Sequence, residues 1–317
     1  SVLELSDGSK YYGDHFGSNK VVSGEVVFNT SMVGYIESLT DPSYKKQILV
    51  LTYPLIGNYG VPSKCKDKFN LLEKFESDNI QIEGLIVSEN VEADYHYESQ
   101  KSLDSWLKEF NIPGISNIDT RELTIKLREH GTIEGRIYQE SKDLTLDQLP
   151  EFNTLSLDMV SMVSTQEPYY IGDVKSDFKR VIVVDYGIKN SILRQLAKRN
   201  LVLKVVPHNY DFVNDLISGD YHGLFLSNGP GDPRINVELI ENIRRFIGLN
   251  KLDIPIFAIC LGHQLLSLAI GAQIKKMKYG NRSINQPTMD MRDGKSYITS
   301  QNHGYAVDAT TIPEDWT

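Results

Sequence analysis

The hydrophobic pattern of the chain changes character near its middle. Before about residue 165 the apolar runs are short, and GEVVFN (24–29) and QILVLTY (47–53) predict strands. SLDSWLKEF (102–110) has apolar residues at helical spacing, with Ser102 as a cap. DTRELTIKLREHG (119–131) pairs Asp119 with Glu122 at capping-box spacing and ends on glycine. This part of the chain therefore predicts a mixture of short strands and helices.

The second half alternates buried strands with helices. TQEPYYIGDVKSDFK (165–179) lacks periodicity and predicts a linker. After it, strands are predicted at 180–186, 201–207, 221–226 and 254–260, and helices at 188–199, 237–249 and 262–272. Such alternation predicts a mainly parallel sheet that helices cover on both faces.

The length of the chain agrees with two domains. It has 317 residues, and a domain commonly has roughly 150. The predicted organisation is an α/β protein with an N-terminal mixed domain (1–165), a linker (166–179) and a doubly wound domain (180–317).

Composition narrows the functional classes. A net charge of −9 argues against a nucleic-acid partner, which requires a basic face. No apolar run reaches the ~18 residues of a membrane span, and the N-terminal sequence lacks the pattern of a signal peptide. With two cysteines, no disulfide framework is indicated. These features predict a cytoplasmic protein without membrane association.

One cysteine has the local sequence of a nucleophile. Cys260 lies in AICLG (258–262), hereafter the elbow, between a predicted strand and a predicted helix. Small neighbours permit a sharp turn that points the thiol into the crevice above the sheet, and the helix N-terminus favours the thiolate. A buried structural cysteine is the alternative. Cys65, between two lysines, lacks an elbow and is interpreted as a surface thiol.

A second strand ends in a series of turn-forming residues. SNGPGDP (227–233), hereafter the glycine loop, can bring its backbone close to a ligand, although an ordinary turn has the same composition. GPGDPR (229–234) lacks the third glycine of a dinucleotide fingerprint, and DGKS (293–296) lacks the first glycine of a phosphate loop. No nucleotide or metal site is predicted.

The elbow and the glycine loop together resemble class I glutamine amidotransferases. Longer stretches resemble the glutaminase subunit of carbamoyl-phosphate synthetase, over almost the whole chain: residues 24–60, 118–131, 227–233, 259–266 and 299–308. PLIGNYGVP and YGNRSINQP are more similar to the multifunctional eukaryotic pyrimidine proteins. The resemblance implies that a cysteine attacks the amide of L-glutamine, that ammonia leaves, and that the thioester is hydrolysed.

The resemblance also implies residue roles. Cys260 would be the nucleophile, and the N–H groups of Gly229 and Leu261 would form the oxyanion hole. Ala258 replaces the usual glycine at the first elbow position, where a small side chain should preserve the turn. The implied glutamine-binding residues are Ser43, Gly229, Gly231, Leu261, Gln264, Asn302, Gly304 and Tyr305. No cofactor is expected in this chain; ATP would bind only to the partner, which is a synthetase large subunit or a covalently linked synthetase domain.

The family's base, a histidine in a His-Pro-Glu motif, does not follow Cys260 in this sequence. His96-Tyr97-Glu98 precedes the cysteine and is interpreted as a polar loop, while His263 and His303 are weak substitutes. The amidotransferase domain is therefore expected to be C-terminally truncated and to bind glutamine better than it hydrolyses it. Two alternatives are a silent docking or regulatory module and another class I amidotransferase component, such as that of anthranilate or GMP synthase.

Overall fold

The computed structural model describes residues 1–91, 96–140, 149–152, 157–249 and 254–316. The chain divides into two compact units, each assembled from three segments. Unit 1 comprises Ser1–Lys64, Asp78–Leu155 and Met277–Gly304, and unit 2 comprises Cys65–Ser77, Ser156–Lys276 and Tyr305–Thr317. Within the described residues, no helix combines the length and apolar character that crossing a membrane requires.

Unit 1 contains an eight-stranded mixed sheet and a small two-stranded one. Its strands are β1 (Val2–Leu5), β2 (Lys10–Tyr12), β3 (Asp14–Gly17), β4 (Val22–Asn29), β5 (Gln47–Leu51), β6 (Val61–Pro62), β7 (Gly84–Val87), β8 (Ser99–Lys101), β9 (Pro113–Ser116) and β10 (Ile133–Tyr138). Its helices are α1 (Tyr35–Thr40), α2 (Leu103–Glu109) and α3 (Thr120–His130). The large sheet has the order β2-β1-β10-β4-β5-β7-β9-β3, and β6 pairs with β8.

The helix signals of unit 1 are confirmed. The Ser102 hydroxyl accepts the N–H of Ser105 and caps α2, while the Asp119 carboxylate accepts the N–H of Glu122 and caps α3. Gly131 ends α3 with φ +93°, which is a conformation that only glycine adopts without strain. Leu123 and Leu127 of α3 are fully buried in the core of the large sheet, so the apolar stripe of the helix fixes its packing face.

Unit 2 contains a five-stranded sheet in the order β11-β13-β12-β14-β15. The strands are β11 (Tyr169–Ile171), β12 (Lys179–Asp185), β13 (Leu201–Pro207), β14 (Gly223–Leu226) and β15 (Ile256–Ala258). The helices are α4 (Asn190–Ala197), α5 (Phe212–Ile217), α6 (Val237–Leu249) and α7 (Leu261–Ala269). All neighbouring strands from β13 to β15 are parallel, whereas β11 is antiparallel.

Successive residues of β12 lie in different cores, as the period of a strand requires. Ile182 and Val184 pack in a cluster with residues of α5, α6 and α7. Val183 packs in another cluster with residues of α4. Helices therefore cover both faces of the sheet, and the predicted doubly wound α/β fold is confirmed.

The segment predicted as a linker has structure. β11 lies within it and pairs with β13, and its Ile171 is 5% exposed. Three paired residues are too few for an amphipathic period, so the sequence carried no signal for this strand. The predicted boundaries at 165 and 180 stay predictions.

Two long strands near the C-terminus were not predicted. β16 (Gln273–Met289) pairs with β17 (Ser296–Asp308), and both contribute residues to each unit. Many of their residues are exposed or half-buried, so their sequences lack the apolar runs that identify the strands of the sheet cores.

Candidate active site

The elbow has the predicted strand–turn–helix geometry. Cys260 follows β15 and is the N-cap of α7, with φ 52° and ψ −110°. A non-glycine residue at such a dihedral costs on the order of 1–3 kcal/mol and persists only where its surroundings impose it. The thiol-bearing residue is half-buried, so it is not sealed in the apolar layer. The turn forms with Ala258 at its first position, as expected.

Backbone contacts with β14 impose the elbow. Ile259 N–H donates to the carbonyl of Leu226 at 3.0 Å, and Gly262 N–H donates to the carbonyl of Ser227 at 2.9 Å. A Cβ on Gly262 would lie 2.3 Å from the Leu226 oxygen. Glycine is therefore required at the last elbow position because a side chain would collide with backbone.

The glycine loop lies against the elbow. A Cβ on Gly229 would lie 2.2 Å from the carbonyl oxygen of Tyr186 and 2.8 Å from Cδ2 of Leu261. The two residues expected to form the oxyanion hole are therefore neighbours. Gly231 has φ +91°, a left-handed conformation that glycine tolerates.

Two expected glutamine-binding residues also meet in unit 2. The buried Gln264 donates from Nε2 to the carbonyl of Tyr305 at 2.9 Å. The guanidinium of Arg234 lies 5.6 Å from the centre of the Tyr305 ring and forms an ion pair with Asp232. The Tyr305 ring is therefore held beside the Arg234–Asp232 ion pair, a contact that the sequence did not predict.

The remaining expected residues lie in unit 1, where a carboxylate joins two of them. The Asp41 carboxylate accepts the N–H of Ser43 at 2.9 Å through one oxygen and Nδ2 of Asn302 at 3.3 Å through the other. Asp41 is buried. It adjoins Ser43 in the motif DPSY, yet no sequence pattern connects it with Asn302.

A buried arginine packs beside the third of these residues. Arg282 is 5% exposed, and its Nη2 would lie 3.3 Å from a Cβ on Gly304. Its Nη1 donates to the carbonyl of Tyr279 at 2.7 Å. Burial raises the pKa of the Tyr44 hydroxyl, and the positive charge of Arg282 acts in the opposite direction. Sequence reasoning missed Arg282 because arginine is usually exposed.

The substitute bases lie in different units. His263, in α7 of unit 2, has an exposed side chain, although desolvation by the surrounding protein lowers its pKa. His303 is in unit 1, and its Nε2 is 3.0 Å from Oε1 of Gln301. Cys65 is exposed, in agreement with a surface thiol.

Both halves of the chain match models of known protein families. Residues 3–137 match the family model described as "Carbamoyl-phosphate synthase small chain, CPSase domain". Residues 182–317 match "Glutamine amidotransferase class-I". The second match defines the class to which the elbow belongs, and the first distinguishes this chain from other members of that class.

Individual relatives support the same assignment. The carbamoyl phosphate synthase arginine-specific small chain of Saccharomyces cerevisiae is 45% identical over 98% of this chain and 75% of its own length. The multifunctional protein CAD of Squalus acanthias is 46% identical over 100% of this chain, which spans 14% of that protein. The chain belongs to the carbamoyl-phosphate synthase small-chain family. This confirms the resemblance and the function expected from it, a glutamine amidotransferase of carbamoyl-phosphate synthesis. The sequence identities to the arginine-specific small chain and to the multifunctional protein are nearly equal. That this chain is more similar to the multifunctional pyrimidine proteins therefore stays a prediction.

Proposed function

We propose that Cys260 is the nucleophile with which this chain takes ammonia from L-glutamine for a carbamoyl-phosphate synthetase partner. The thiolate attacks the amide carbon, and the resulting oxyanion accepts hydrogen bonds from the N–H groups of Gly229 and Leu261. Collapse expels ammonia and leaves a γ-glutamyl thioester, which water then hydrolyses to glutamate. The strained elbow against the glycine loop is the observation that carries this proposal.

The other expected residues receive binding roles in the same proposal. The residues that would contact glutamine are Ser43, Gly231, Gln264, Asn302, Gly304 and Tyr305. The synthetase partner is a separate large subunit or a linked domain. ATP is used there.

We further propose that none of the seven histidines of the sequence is the general base. The departing nitrogen must be protonated, and the lowered pKa of His263 disfavours the imidazolium form that would have to donate this proton. The base would be supplied by a group that is not among the 317 residues. Without that group, both the expulsion of ammonia and the hydrolysis of the thioester are expected to be slow, so the chain should turn glutamine over slowly.

A chloroketone analogue of glutamine tests the nucleophile. We expect it to label Cys260, and we expect L-glutamine to protect against labelling. Cys260→Ser should abolish labelling, and Cys65→Ser is the matched control that should leave it unchanged. Labelling that glutamine does not slow, or that is equal at Cys65, would favour a silent docking module.

Steady-state ammonia release tests the base. The chain should release ammonia far more slowly than the reagent labels Cys260. Rapid turnover that His263→Asn or His303→Asn abolishes would show that the base is within the chain.

A further inference from the structure

Asp185 is the last residue of β12 and is 5% exposed. One carboxylate oxygen accepts the N–H groups of Gly187 and Ile188, both at 2.8 Å. The other oxygen accepts the N–H of Thr165 at 2.8 Å. Both oxygens are therefore occupied by backbone donors, and the carboxylate fixes the turn 186–188.

That turn is joined to the glycine loop at three points. Tyr186 N–H donates to Oγ of Ser227 at 2.9 Å, and Nδ2 of Asn228 donates to the carbonyl of Gly187 at 2.9 Å. The carbonyl oxygen of Tyr186 lies so close to Gly229 that no side chain would fit there. The position of Gly229 is thus set by the turn that Asp185 holds.

Ser227 extends the connection to the elbow. It is fully buried, its Oγ donates to the carbonyl of Asn228 at 2.8 Å, and its own carbonyl accepts the N–H of Gly262 at 2.9 Å. A continuous series of hydrogen bonds therefore runs from Asp185 through Ser227 to the turn that carries Cys260.

We propose that Asp185 is a positioning residue for the glutaminase step, acting through the 186–188 turn and Ser227 on the N–H of Gly229. Asp185 touches neither the nucleophile nor, in this scheme, the substrate. The inference rests on the proposed function, because it concerns the oxyanion that Cys260 would generate.

Asparagine is the informative replacement. It retains one oxygen, so it can accept either the N–H groups of Gly187 and Ile188 or that of Thr165. Its amide group must then face the remaining donor or donors. The volume of the side chain hardly changes, so the substitution removes acceptor capacity without opening a cavity.

Two reagents separate positioning from general disruption, each used on the full chain carrying Cys65→Ser. Iodoacetamide alkylates the thiolate by displacing iodide at a saturated carbon and forms no oxyanion. The γ-p-nitrophenyl ester of glutamate does form an oxyanion when the thiolate attacks its carbonyl carbon. The Sγ–C bond forms, the C–O bond breaks, and p-nitrophenolate leaves with the electron pair, so this acylation requires no protonated leaving group.

For Asp185→Asn we expect acylation by the ester to slow at least about tenfold, because loss of a single oxyanion donor costs about 10²–10³. Alkylation by iodoacetamide and the ester concentration at half-maximal rate should change little. Ser227→Ala should reproduce the effect, which provides a second measurement if Asp185→Asn does not fold. The control is Asp211→Asn, which removes the charge of the exposed N-cap of α5 in the same unit while keeping a capping oxygen, and it should leave both rates unchanged.

Three outcomes would overturn the inference. Equal loss of alkylation and acylation would show that Asp185 only maintains the fold, and unchanged acylation in both variants would show that the glycine loop does not depend on the turn. If Cys260 of the parent chain is not acylated at all, the proposed function itself fails. If the parent chain is acylated and the variants are acylated at the same rate, only the positioning role of Asp185 is contradicted.

Discussion

The two units hold their candidate site residues by different physical means, although each contains four consecutive parallel strands. In unit 2 the elbow and the glycine loop follow β15 and β14 directly, and close backbone contacts fix them. In unit 1, Ser43 and Asn302 are fixed through the side chain of Asp41. Where two backbone segments are in close contact, an added side-chain atom cannot be accommodated. Where side-chain hydrogen bonds hold a residue, a single substitution removes only one of them.

This contrast determines which region responds most sharply to mutation. A methyl group added in the elbow must displace backbone. A hydroxyl removed from unit 1 removes only one hydrogen bond. An exposed ion pair elsewhere in unit 1 should matter least, because water competes for its charges.

The largest effect is expected for Gly262→Ala. The new Cβ would lie 2.3 Å from the carbonyl oxygen of Leu226, and overpacking of this kind costs typically 1–3 kcal/mol. We expect a lower urea midpoint and loss of Cys260 labelling by the glutamine analogue. Gly248→Ala is the matched control. Gly248 is an exposed helical glycine with nothing within 4 Å of an added Cβ, so the change should stabilise by roughly 0.5–1 kcal/mol. Equal effects of the two substitutions would refute the steric account of the elbow.

An intermediate effect is expected for Tyr44→Phe in unit 1. The Tyr44 hydroxyl accepts Nδ2 of Asn29 at 2.9 Å, and both residues are buried. Without that acceptor, Nδ2 of Asn29 keeps only the 3.5 Å hydrogen bond to Oγ of Ser38, so we expect a cost of about 0.5–1.5 kcal/mol. Denaturant unfolding should show this decrease, with labelling of Cys260 retained.

Tyr11→Phe provides the comparison for that prediction. Its hydroxyl makes an exposed hydrogen bond of 3.3 Å to Glu122, so its removal should change stability by no more than about 0.5 kcal/mol. A Tyr44→Phe variant as stable as Tyr11→Phe would show that the unit 1 network contributes no stability.

The smallest effect is expected at Asp7. Hydrogen bonds from Lys126 and Ser9 lower the pKa of its carboxyl from 3.8 to about 2. A depressed pKa in the folded state means that the ionised carboxylate stabilises the fold above pH 3.8 and that this contribution disappears as the pH falls towards 2. The stability difference between the parent and Asp7→Asn should therefore shrink over that interval. A constant difference would contradict the assignment, and carbon-13 titration of the Asp7 carboxyl would measure its pKa directly.

The sequence determined the features that depend on neighbouring residues. Capping residues predicted both ends of α3, and strand–helix alternation predicted the parallel sheet of unit 2, because these signals act over one or two turns of chain. The elbow could be recognised for the same reason: a sharp turn before a helix requires small residues beside Cys260.

Only the tertiary structure decided which distant residues support the site. Asp41 meets Asn302 across 261 positions, and Asp185 meets the glycine loop through a turn that contains no recognisable motif. β16 and β17 were missed because strands without an apolar face have no periodic signal. Local sequence specifies dihedral preferences and burial, but hydrogen bonds between remote segments exist only after the sheets have assembled.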